Sequence, residues 1–314
     1  LDVLIDTLEN IKKIDGPQFL HVATKKGFGY APAQDDPNKF HGVGKFNPED
    51  GLSKDSNKSL TYTQVFSLWL MDAAKKNMHL CAITPAMSDG SGLNAFAKKY
   101  PSRYYDVGIA EQHALTFAAG LALSGNKPVV AIYSTFMQRA YDQLIHDIAI
   151  QNIPMLFAID RAGLVGADGA THSGNFDISF MRCIPNLILM APSNESECFH
   201  MLSFGYKYNG VCAVRYPRGN SPGSSIELLN DPIRIGCANK VRTGKKVAIL
   251  AFGPIIEVCR EVAEEINASL IDMRFIKPID KKMIRQVCKD HELIVSVEEN
   301  AITGGAGSSV LEVI

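Results

Sequence analysis

The chain has 314 residues, of which 46% are hydrophobic and 21% are charged, and its formal net charge at pH 7 is −1. This length allows two domains of ordinary size, and the composition is that of a globular protein. The near-neutral charge, with no basic stripe in any segment, argues against a nucleic-acid partner. No apolar run approaches the roughly 18 residues of a membrane-spanning helix, so we expect no membrane span.

The seven cysteines are widely scattered and form no C-x-x-C pair. This pattern predicts reduced, mostly buried thiols in a cytosol-like compartment rather than a disulfide or zinc framework. The sequence starts at Leu1 without a methionine, inside a predicted helix, and Ile314 follows the first turns of another. We therefore expect a portion of a longer polypeptide.

The first 59 residues contain little regular structure. Helical spacing of apolar residues predicts a helix over residues 1–14, and a strand is predicted over residues 16–27 after a Gly-Pro break. The stretch from Tyr30 to Ser59 is rich in Gly, Pro, Asp, Asn and Lys. We interpret it as a long crossing segment of the kind that often carries function.

From Leu60 to Gly223 short apolar strands alternate with helices, which predicts a parallel sheet covered on both faces. The predicted strands are residues 128–134, 155–160, 187–192 and 211–217. The predicted helices are residues 62–76, 106–123, 138–150 and 194–208. A second α/β unit starts at Val247, with strands at 247–252, 269–275 and 293–300 and helices at 255–266 and 280–290. We predict two α/β domains joined near residues 220–245.

Polar residues follow several strands of the first unit. In open parallel sheets ligands bind beyond the carboxyl ends of the strands. Seven polar or aromatic residues are predicted to lie at this edge: Tyr133, Phe136, Arg139, Asp160, Arg161, Asp168 and His172. Arg218 follows the strand at 211–217, and the helix that opens at Glu111 starts at the same edge.

Each of these residues also has an ordinary explanation. A carboxylate in the first turn of a helix gains about 0.3–1 kcal/mol from the helix dipole, so Glu111 needs no catalytic role. Arg161 and Arg218 could form surface ion pairs, and His172 could be a loop histidine whose hydrogen bonds are satisfied locally. The glycine-rich loop at 163–174 matches neither common nucleotide-binding pattern.

The coincidence of these residues at one edge favours a site over scattered surface accidents. Arg161 and Arg218 suit a phosphate, whose charge they match with forked donors. Asp168 and His172 can bind hydroxyl or carbonyl oxygens and move protons. The residues therefore predict an enzyme that acts on a small phosphorylated substrate rich in oxygen, without specifying the reaction.

Several segments closely resemble the 1-deoxy-D-xylulose-5-phosphate synthase family, thiamine-diphosphate enzymes of the transketolase group. The segments are "TKKGFGYAPAQDDPNKFHG" (24–42), "DVGIAEQHALTFAAGLAL" (106–123), "AIYSTFMQRAYDQLIHDIA" (131–149), "FAIDRAGLVGADGATHSG" (157–174), "VRYPRGN" (214–220) and "VEENAITGGAGS" (297–308). The resemblance covers nearly the whole chain.

The resemblance implies a thiamine-diphosphate-binding fold of the pyrimidine-domain type, followed by a transketolase C-terminal-like α/β domain. The implied domains are the tail of a diphosphate-binding domain at 1–45, a linker at 46–59, a pyrimidine-binding domain at 60–225 and an incomplete C-terminal domain at 240–314. The implied reaction joins pyruvate to glyceraldehyde 3-phosphate with loss of CO2, the first step of non-mevalonate isoprenoid synthesis, which also feeds thiamine and pyridoxal synthesis. A cytoplasmic homodimer is implied for a bacterium, and a plastid location for a eukaryote.

The resemblance also implies residue roles. Glu111 would bond the cofactor pyrimidine nitrogen, with Phe136 stacked on the ring and Ile109 and Arg139 close by. Arg161 and Arg218 would hold the substrate phosphate. The acceptor site would be lined by Tyr133, Asp168 and His172, with Lys26 and His41 reaching in and His172 and His41 as candidates for proton transfer.

One feature of the family is missing from this sequence. The Gly-Asp-Gly…Asn segment that binds Mg²⁺ and the diphosphate has no match here, so we expect no metal site in this chain. Two related alternatives remain, a transketolase and a β-type E1 subunit of a 2-oxo-acid dehydrogenase. A third, from another class, is a non-catalytic fragment or interaction module.

Overall fold

The structure is a computed structural model that describes residues 1–37, 40, 43, 46–51, 59–229 and 232–314. The chain divides into two compact units, Leu1–Asp55 and Ser56–Ile314. No helix in the described residues combines the length and hydropathy needed to cross a membrane.

The described residues of the first unit include two helices, α1 (Asp2–Ile11) and α2 (Ala31–Asp35). The strand predicted over residues 16–27 is wrong: this segment has no regular structure and no strand partner among the described residues, and Phe19 is 93% exposed. Strands need a neighbour to satisfy their backbone groups, which periodicity alone does not supply.

The second unit is α/β. Its helices are α3 (Tyr62–Lys76), α4 (Asn94–Lys99), α5 (Glu111–Leu123), α6 (Ser134–Met137), α7 (Tyr141–Gln143), α8 (Asp177–Met181), α9 (Glu195–Lys207), α10 (Ile256–Glu265), α11 (Lys281–Asp290) and α12 (Ala306–Leu311). Its strands are β1 (Leu80–Thr84), β2 (Tyr104–Asp106), β3 (Lys127–Tyr133), β4 (Met155–Asp160), β5 (Leu187–Met190), β6 (Val211–Arg215), β7 (Asn239–Arg242), β8 (Val247–Ala251), β9 (Ser269–Asp272), β10 (Phe275–Lys277) and β11 (Leu293–Val297).

The strands form two sheets. The larger has seven strands in the order β10-β5-β6-β4-β3-β1-β2, and the smaller has four in the order β11-β8-β9-β7. All neighbours are parallel except β10 with β5 and β7 with β9. The predicted α/β fold class with a parallel sheet is confirmed, with one antiparallel edge strand added to each sheet.

Helices cover both faces of the larger sheet. Apolar side chains of α3 and α9 pack together on one face. Those of α5 and of a π-helical segment, Leu144–Ala149, pack on the other. The second cluster continues into the smaller sheet through Ala248, Leu250 and Ile271, so the two sheets share one core. The strands of the larger sheet are buried on both sides, which explains why they are apolar almost throughout.

Some observed elements differ from the predicted ones. The helix predicted at 138–150 is a 3-10 turn, a short α-helix and the π-helical segment in succession. The strand predicted at 269–275 breaks at Arg274, whose φ is 54°, and its continuation, β10, joins the other sheet. Strands β1, β2 and β7 were not predicted. The largely polar sequence of residues 239–242 predicts irregular structure, yet these residues form β7 and pair with β9.

Candidate active site

The site lies at the carboxyl edge of the seven-stranded sheet. Tyr133 is the last residue of β3, Asp160 is the last residue of β4, and Arg218 lies three residues beyond the end of β6. These strands are parallel neighbours in the sheet, so their carboxyl ends open on the same edge. The sheet therefore brings together residues that are up to 85 positions apart in sequence (218 − 133 = 85).

A loop over residues 162–174 extends from this edge. Its ends are joined by two backbone hydrogen bonds, from the Gly163 N–H to the Gly174 carbonyl at 2.9 Å and from the Gly174 N–H to the Gly163 carbonyl at 2.8 Å. A Cβ atom at Gly174 would collide with the Arg161 carbonyl oxygen and the Ser134 side chain, so only glycine permits this closure. The closed loop presents Asp168 and His172, each at the end of a short 3-10 turn.

Asp168 lies between the two arginines that the sequence predicts as phosphate ligands. The Arg218 guanidinium donates a hydrogen bond from Nη1 to Asp168 Oδ1. On the other side, Arg161 Nε lies 3.5 Å from Asp168 Oδ2. Arg161 is 9% exposed and Asp168 is half-buried, so the charges meet where water screens them weakly. The Asp168 carboxylate thus faces two positively charged guanidinium groups.

Aromatic rings form one wall of this cluster. The Tyr133 and Phe136 rings stack with centroids 5.8 Å apart, and the edge of His172 contacts Phe136 at 5.4 Å. The Arg161 guanidinium lies over the Tyr133 ring, 4.2 Å from its centroid. Burial raises the pKa of Tyr133 to about 12, so its hydroxyl stays protonated near neutral pH.

Glu111 opens α5 and is 2% exposed. Its Oε2 lies 3.0 Å from Arg139 Nε. The same oxygen is buried and receives no hydrogen bond from the described residues. The contact is therefore an ion pair in which no N–H of Arg139 points at the carboxylate oxygen. Arg139 is one helical turn beyond Phe136, and the segment 134–140 therefore links the glutamate to the aromatic wall.

The resemblance also assigns Ile109, Lys26 and His41 to the site. Ile109 lies two residues before α5 and is 75% exposed. Lys26 belongs to the first unit, where it is exposed. His41 lies outside the described residues.

Two residues contact Arg161 and a third contacts one of these two; the sequence assigns none of the three a role. Asp160 lies 3.1 Å from Arg161 Nη1, the Gly90 carbonyl accepts a hydrogen bond from the same nitrogen, and Thr63 donates to Asp160 at 2.9 Å. An aspartate that ends an otherwise apolar strand is a sequence signal for Asp160. No sequence signal marked Thr63 or Gly90, because they come from other elements.

Among the described residues, no cluster of three or more His, Cys, Asp or Glu side chains could bind a metal ion. All seven cysteines are described and free; Cys183 alone is exposed, and four are buried.

Residues 58–224 match the transketolase pyrimidine-binding domain, and residues 236–314 match the transketolase C-terminal domain. The chain belongs to the transketolase family. The family implies dependence on thiamine diphosphate, and the resemblance drawn from the sequence is confirmed by the relatives.

The chain is 60% identical over 312 residues to a protein of Methylobacillus flagellatus named 1-deoxy-D-xylulose-5-phosphate synthase. It is 56% and 57% identical to proteins of the same name from Nitrosomonas europaea and Pasteurella multocida. These alignments cover 99–100% of this chain and 51% of each relative. The chain thus spans about half the length of the curated relatives it matches.

Solved structures agree on the fold. A split-gene transketolase, described as an inactive beta4 tetramer, matches with a TM-score of 0.71 and 26% identity, over 81% of this chain and 85% of that one. Transketolase from Campylobacter jejuni matches with a TM-score of 0.65 and 16% identity, over 83% of this chain and 46% of the other.

Proposed function

We propose that the whole protein joins pyruvate to D-glyceraldehyde 3-phosphate, with loss of CO2, to form 1-deoxy-D-xylulose 5-phosphate. The observation that carries this proposal is the pair of arginines, Arg161 and Arg218, on either side of Asp168 at the carboxyl edge of the sheet. A phosphorylated acceptor matches this arrangement, because phosphate accepts paired N–H groups from guanidinium. The names of the relatives that are 56–60% identical agree with this reaction.

The residues around Glu111 fit the pyrimidine ring of thiamine diphosphate. A buried carboxyl oxygen with no hydrogen bond from the described residues matches a ring nitrogen that shares a proton with it. Phe136 is half-buried and offers a ring face for stacking. Ile109 and Arg139 would complete the contact, and Lys26 is a further candidate for cofactor binding. When bound, the cofactor supplies the carbon nucleophile of the reaction.

In this proposal the protein positions the acceptor and moves protons. Arg161 and Arg218 bind the phosphate and fix the distance of the aldehyde from the cofactor. Asp168 releases part of its contact with the arginines as the phosphate arrives and binds a substrate hydroxyl. His172 gives a proton to the aldehyde oxygen, Tyr133 lines the same pocket, and His41 is a second candidate for proton transfer.

Several further properties belong to the proposal. Mg²⁺ and the cofactor diphosphate would be bound by a part of the protein outside this chain. The product would feed isoprenoid, thiamine and pyridoxal synthesis. We also propose a homodimer in the bacterial cytoplasm.

Two alternatives use the same fold. A transketolase would take a ketose phosphate as donor, and an E1 β-type subunit would pass an acyl group to a lipoyl domain. The phosphate arginines speak against the second, because a lipoyl acceptor carries no phosphate. A purely non-catalytic module would not need a buried carboxyl oxygen without a hydrogen bond, which costs free energy.

The deciding experiment uses the full-length protein with thiamine diphosphate and Mg²⁺. With pyruvate and glyceraldehyde 3-phosphate we expect one CO2 for each pentulose phosphate formed. Replacing pyruvate with a ketose phosphate tests the transketolase reaction, and replacing the aldehyde with a lipoyl domain tests the dehydrogenase subunit. Faster turnover in either replacement would overturn the proposal. Intact mass of the purified protein, compared with 34.3 kDa for this chain, establishes which protein is assayed.

A further inference from the structure

Asp160 is a buried carboxylate at the centre of the candidate site, and it is 1% exposed. Its Oδ2 accepts a hydrogen bond from the Thr63 hydroxyl at 2.9 Å and lies 3.1 Å from Arg161 Nη1. Its Oδ1 accepts the backbone N–H of Arg161 at 2.7 Å. One carboxylate therefore contacts both the backbone and the guanidinium of the same arginine.

The backbone contact has a conformational role. Arg161 has a φ of 59°, in the left-handed region that side chains with a Cβ rarely adopt. Such a conformation persists only where the surroundings fix it. On one side, Asp160 fixes this conformation by accepting the Arg161 N–H. On the other side, the next residue is held by the hydrogen bond from the Ala162 N–H to the Tyr216 carbonyl, 3.0 Å long.

The side-chain contacts occupy one end of the guanidinium. Nη1 bonds the Gly90 carbonyl and faces Asp160, while the Tyr133 ring lies against the planar face. Nε and Nη2 donate no hydrogen bond to any described residue. Nε faces Asp168 Oδ2 at 3.5 Å, a contact that a phosphate would replace. Because a guanidinium binds phosphate through two parallel N–H groups, the Nε–Nη2 edge is the one that can bind it.

We propose that Asp160 is a positioning residue that engages Nη1 of Arg161 and so turns the Nε–Nη2 edge of that arginine toward the phosphate of the acceptor. This inference rests on the proposed function, since it assumes that the acceptor carries a phosphate. Thr63 on α3 holds the Asp160 carboxylate in place, and Gly90 closes the other side of Nη1. A side chain at position 90, in the loop between β1 and α4, would collide with the Tyr133 hydroxyl, so only glycine fits at this position.

The protonation of Asp160 gives this role a pH signature. Burial raises the pKa of Asp160 to about 6, opposed by Arg161 and Thr63. The other titratable groups that face it are Tyr133 on β3, Tyr216 after β6 and Cys198 on α9. Burial raises the pKa of each of these three, so they stay neutral between pH 5 and pH 8. In that range only Asp160, among these groups, changes its charge.

The test uses the full-length protein and Asp160→Asn, which keeps an oxygen for the Arg161 N–H but removes the charge. Binding of glycerol 3-phosphate, a non-reacting probe, is measured by calorimetry, and KM is measured for both substrates. At pH 8 we expect roughly tenfold weaker probe binding and a similar rise in KM for the aldehyde, as for loss of one charged hydrogen bond. The KM for pyruvate should stay within about twofold.

Asp272→Asn is the matched control. Asp272 ends β9 in the smaller sheet, is 3% exposed, has a pKa raised by burial, and accepts the backbone N–H of Arg274, another left-handed arginine. It shares the structural role of Asp160 without a place at the proposed phosphate site. We expect it to lower stability and leave probe binding unchanged.

The pH profile separates positioning from general destabilisation. The ratio of the dissociation constants of Asp160→Asn and wild type should fall from about ten at pH 8 toward one at pH 5, because wild-type Asp160 loses its charge as the pH falls through about 6. The probe's own phosphate titrates near pH 6 in both proteins and cancels in the ratio.

Each outcome decides the inference. Equal probe binding by wild type and a folded Asp160→Asn, or a ratio that does not change with pH, overturns the positioning role and leaves the proposed function intact. Failure of wild type to bind the probe overturns the proposed phosphate site, and this inference with it. Should Asp160→Asn not fold, Thr63→Val removes one hydrogen bond to Asp160; we expect a rise of about threefold in the aldehyde KM alone. An equal rise in both KM values contradicts the proposal.

Discussion

Glu111 and Glu195 show how one residue type at one helical position can have different roles. Each is the first residue of a helix and is buried. Glu195 Oε2 accepts the Gly223 N–H at 3.0 Å, which satisfies it locally. Glu111 Oε2 receives no hydrogen bond from the described residues. The favourable helix dipole is common to both. Glu111 differs in that its Oε2 faces the Arg139 guanidinium at 3.0 Å without receiving a hydrogen bond.

We therefore predict that Glu111→Gln in the full-length protein lowers kcat by about 100- to 10,000-fold, as loss of a positioned proton-transfer group does. Binding of glycerol 3-phosphate should be unchanged, because the arginine cluster is intact. Steady-state turnover and calorimetry provide the two measurements. Glu195→Gln is the matched control, expected to retain turnover within a few-fold. Unchanged turnover in Glu111→Gln would remove this residue from the mechanism.

Arg218→Ala tests the phosphate assignment. We expect KM for glyceraldehyde 3-phosphate to rise about 10- to 100-fold, since a charged hydrogen bond contributes about 1.5–3 kcal/mol. The KM for pyruvate, which carries no phosphate, should change little. Arg260→Ala, at an exposed pair with Glu257, is the control and should alter neither value. Equal rises in both KM values would contradict the assignment.

At the scale of elements, the loop over residues 162–174 places Asp168 and His172. Its sequence predicts a flexible, glycine-rich connection, and its position after a strand predicts a functional role. The ends of the loop pair with each other because Gly174 fits against Arg161 and Ser134. Ser134 is distant in sequence, and Arg161 lies at the other end of the loop. Periodicity and composition hold no information about this contact.

Gly174→Ala should open this closure. The added Cβ lies 2.5 Å from Ser134 Oγ and closer still to the backbone oxygen of Arg161, so the loop must move. We expect a loss of about 1–3 kcal/mol in the free energy of unfolding, as for overpacking, together with weaker glycerol 3-phosphate binding. Denaturant titration and calorimetry measure the two effects.

Gly120→Ala on α5 is the control for this substitution. A Cβ there meets no atom within 4 Å, and the residue is helical. Alanine should stabilise the protein by about 0.5–1 kcal/mol. Equal destabilisation by the two alanines would mean that loop closure is not the cause.

At the scale of the whole molecule, the C-terminal region completes the larger sheet. β10 pairs antiparallel with β5, although β9, three residues earlier, belongs to the smaller sheet. Arg274 lies between them, 1% exposed and ion-paired with Glu197 of α9 at 2.5 Å. With the shared apolar core, this connection couples the two sheets.

We predict that residues 56–314 unfold in one cooperative transition. Trp69, the only tryptophan, lies on α3 beside the larger sheet, and Cys259 is buried in the core of the smaller one. Fluorescence of Trp69 and thiol labelling of Cys259, read by peptide mass mapping, should give the same midpoint in urea. Midpoints that differ by more than the fitting error would show that the sheets unfold separately.

The sequence by itself determined the α/β class, most strands of the larger sheet, and the edge at which Tyr133, Arg161 and Arg218 meet. It could do so because buried parallel strands are nearly all apolar, and parallel strands end at a common edge. Recognisable segments added the family and the roles expected of Glu111 and His172.

Tertiary structure alone decided the rest. β7 consists largely of polar residues, yet it pairs with β9 in the smaller sheet. β10 follows β9 in sequence but pairs with β5 in the larger sheet. Each of these strands satisfies the backbone groups of a strand that is distant in sequence. The contacts of Asp160 with Thr63 and Arg161, and of Arg161 with Gly90, join three separate elements. No local pattern encodes which buried charges meet across a sheet, because that pairing depends on the packing of the whole molecule.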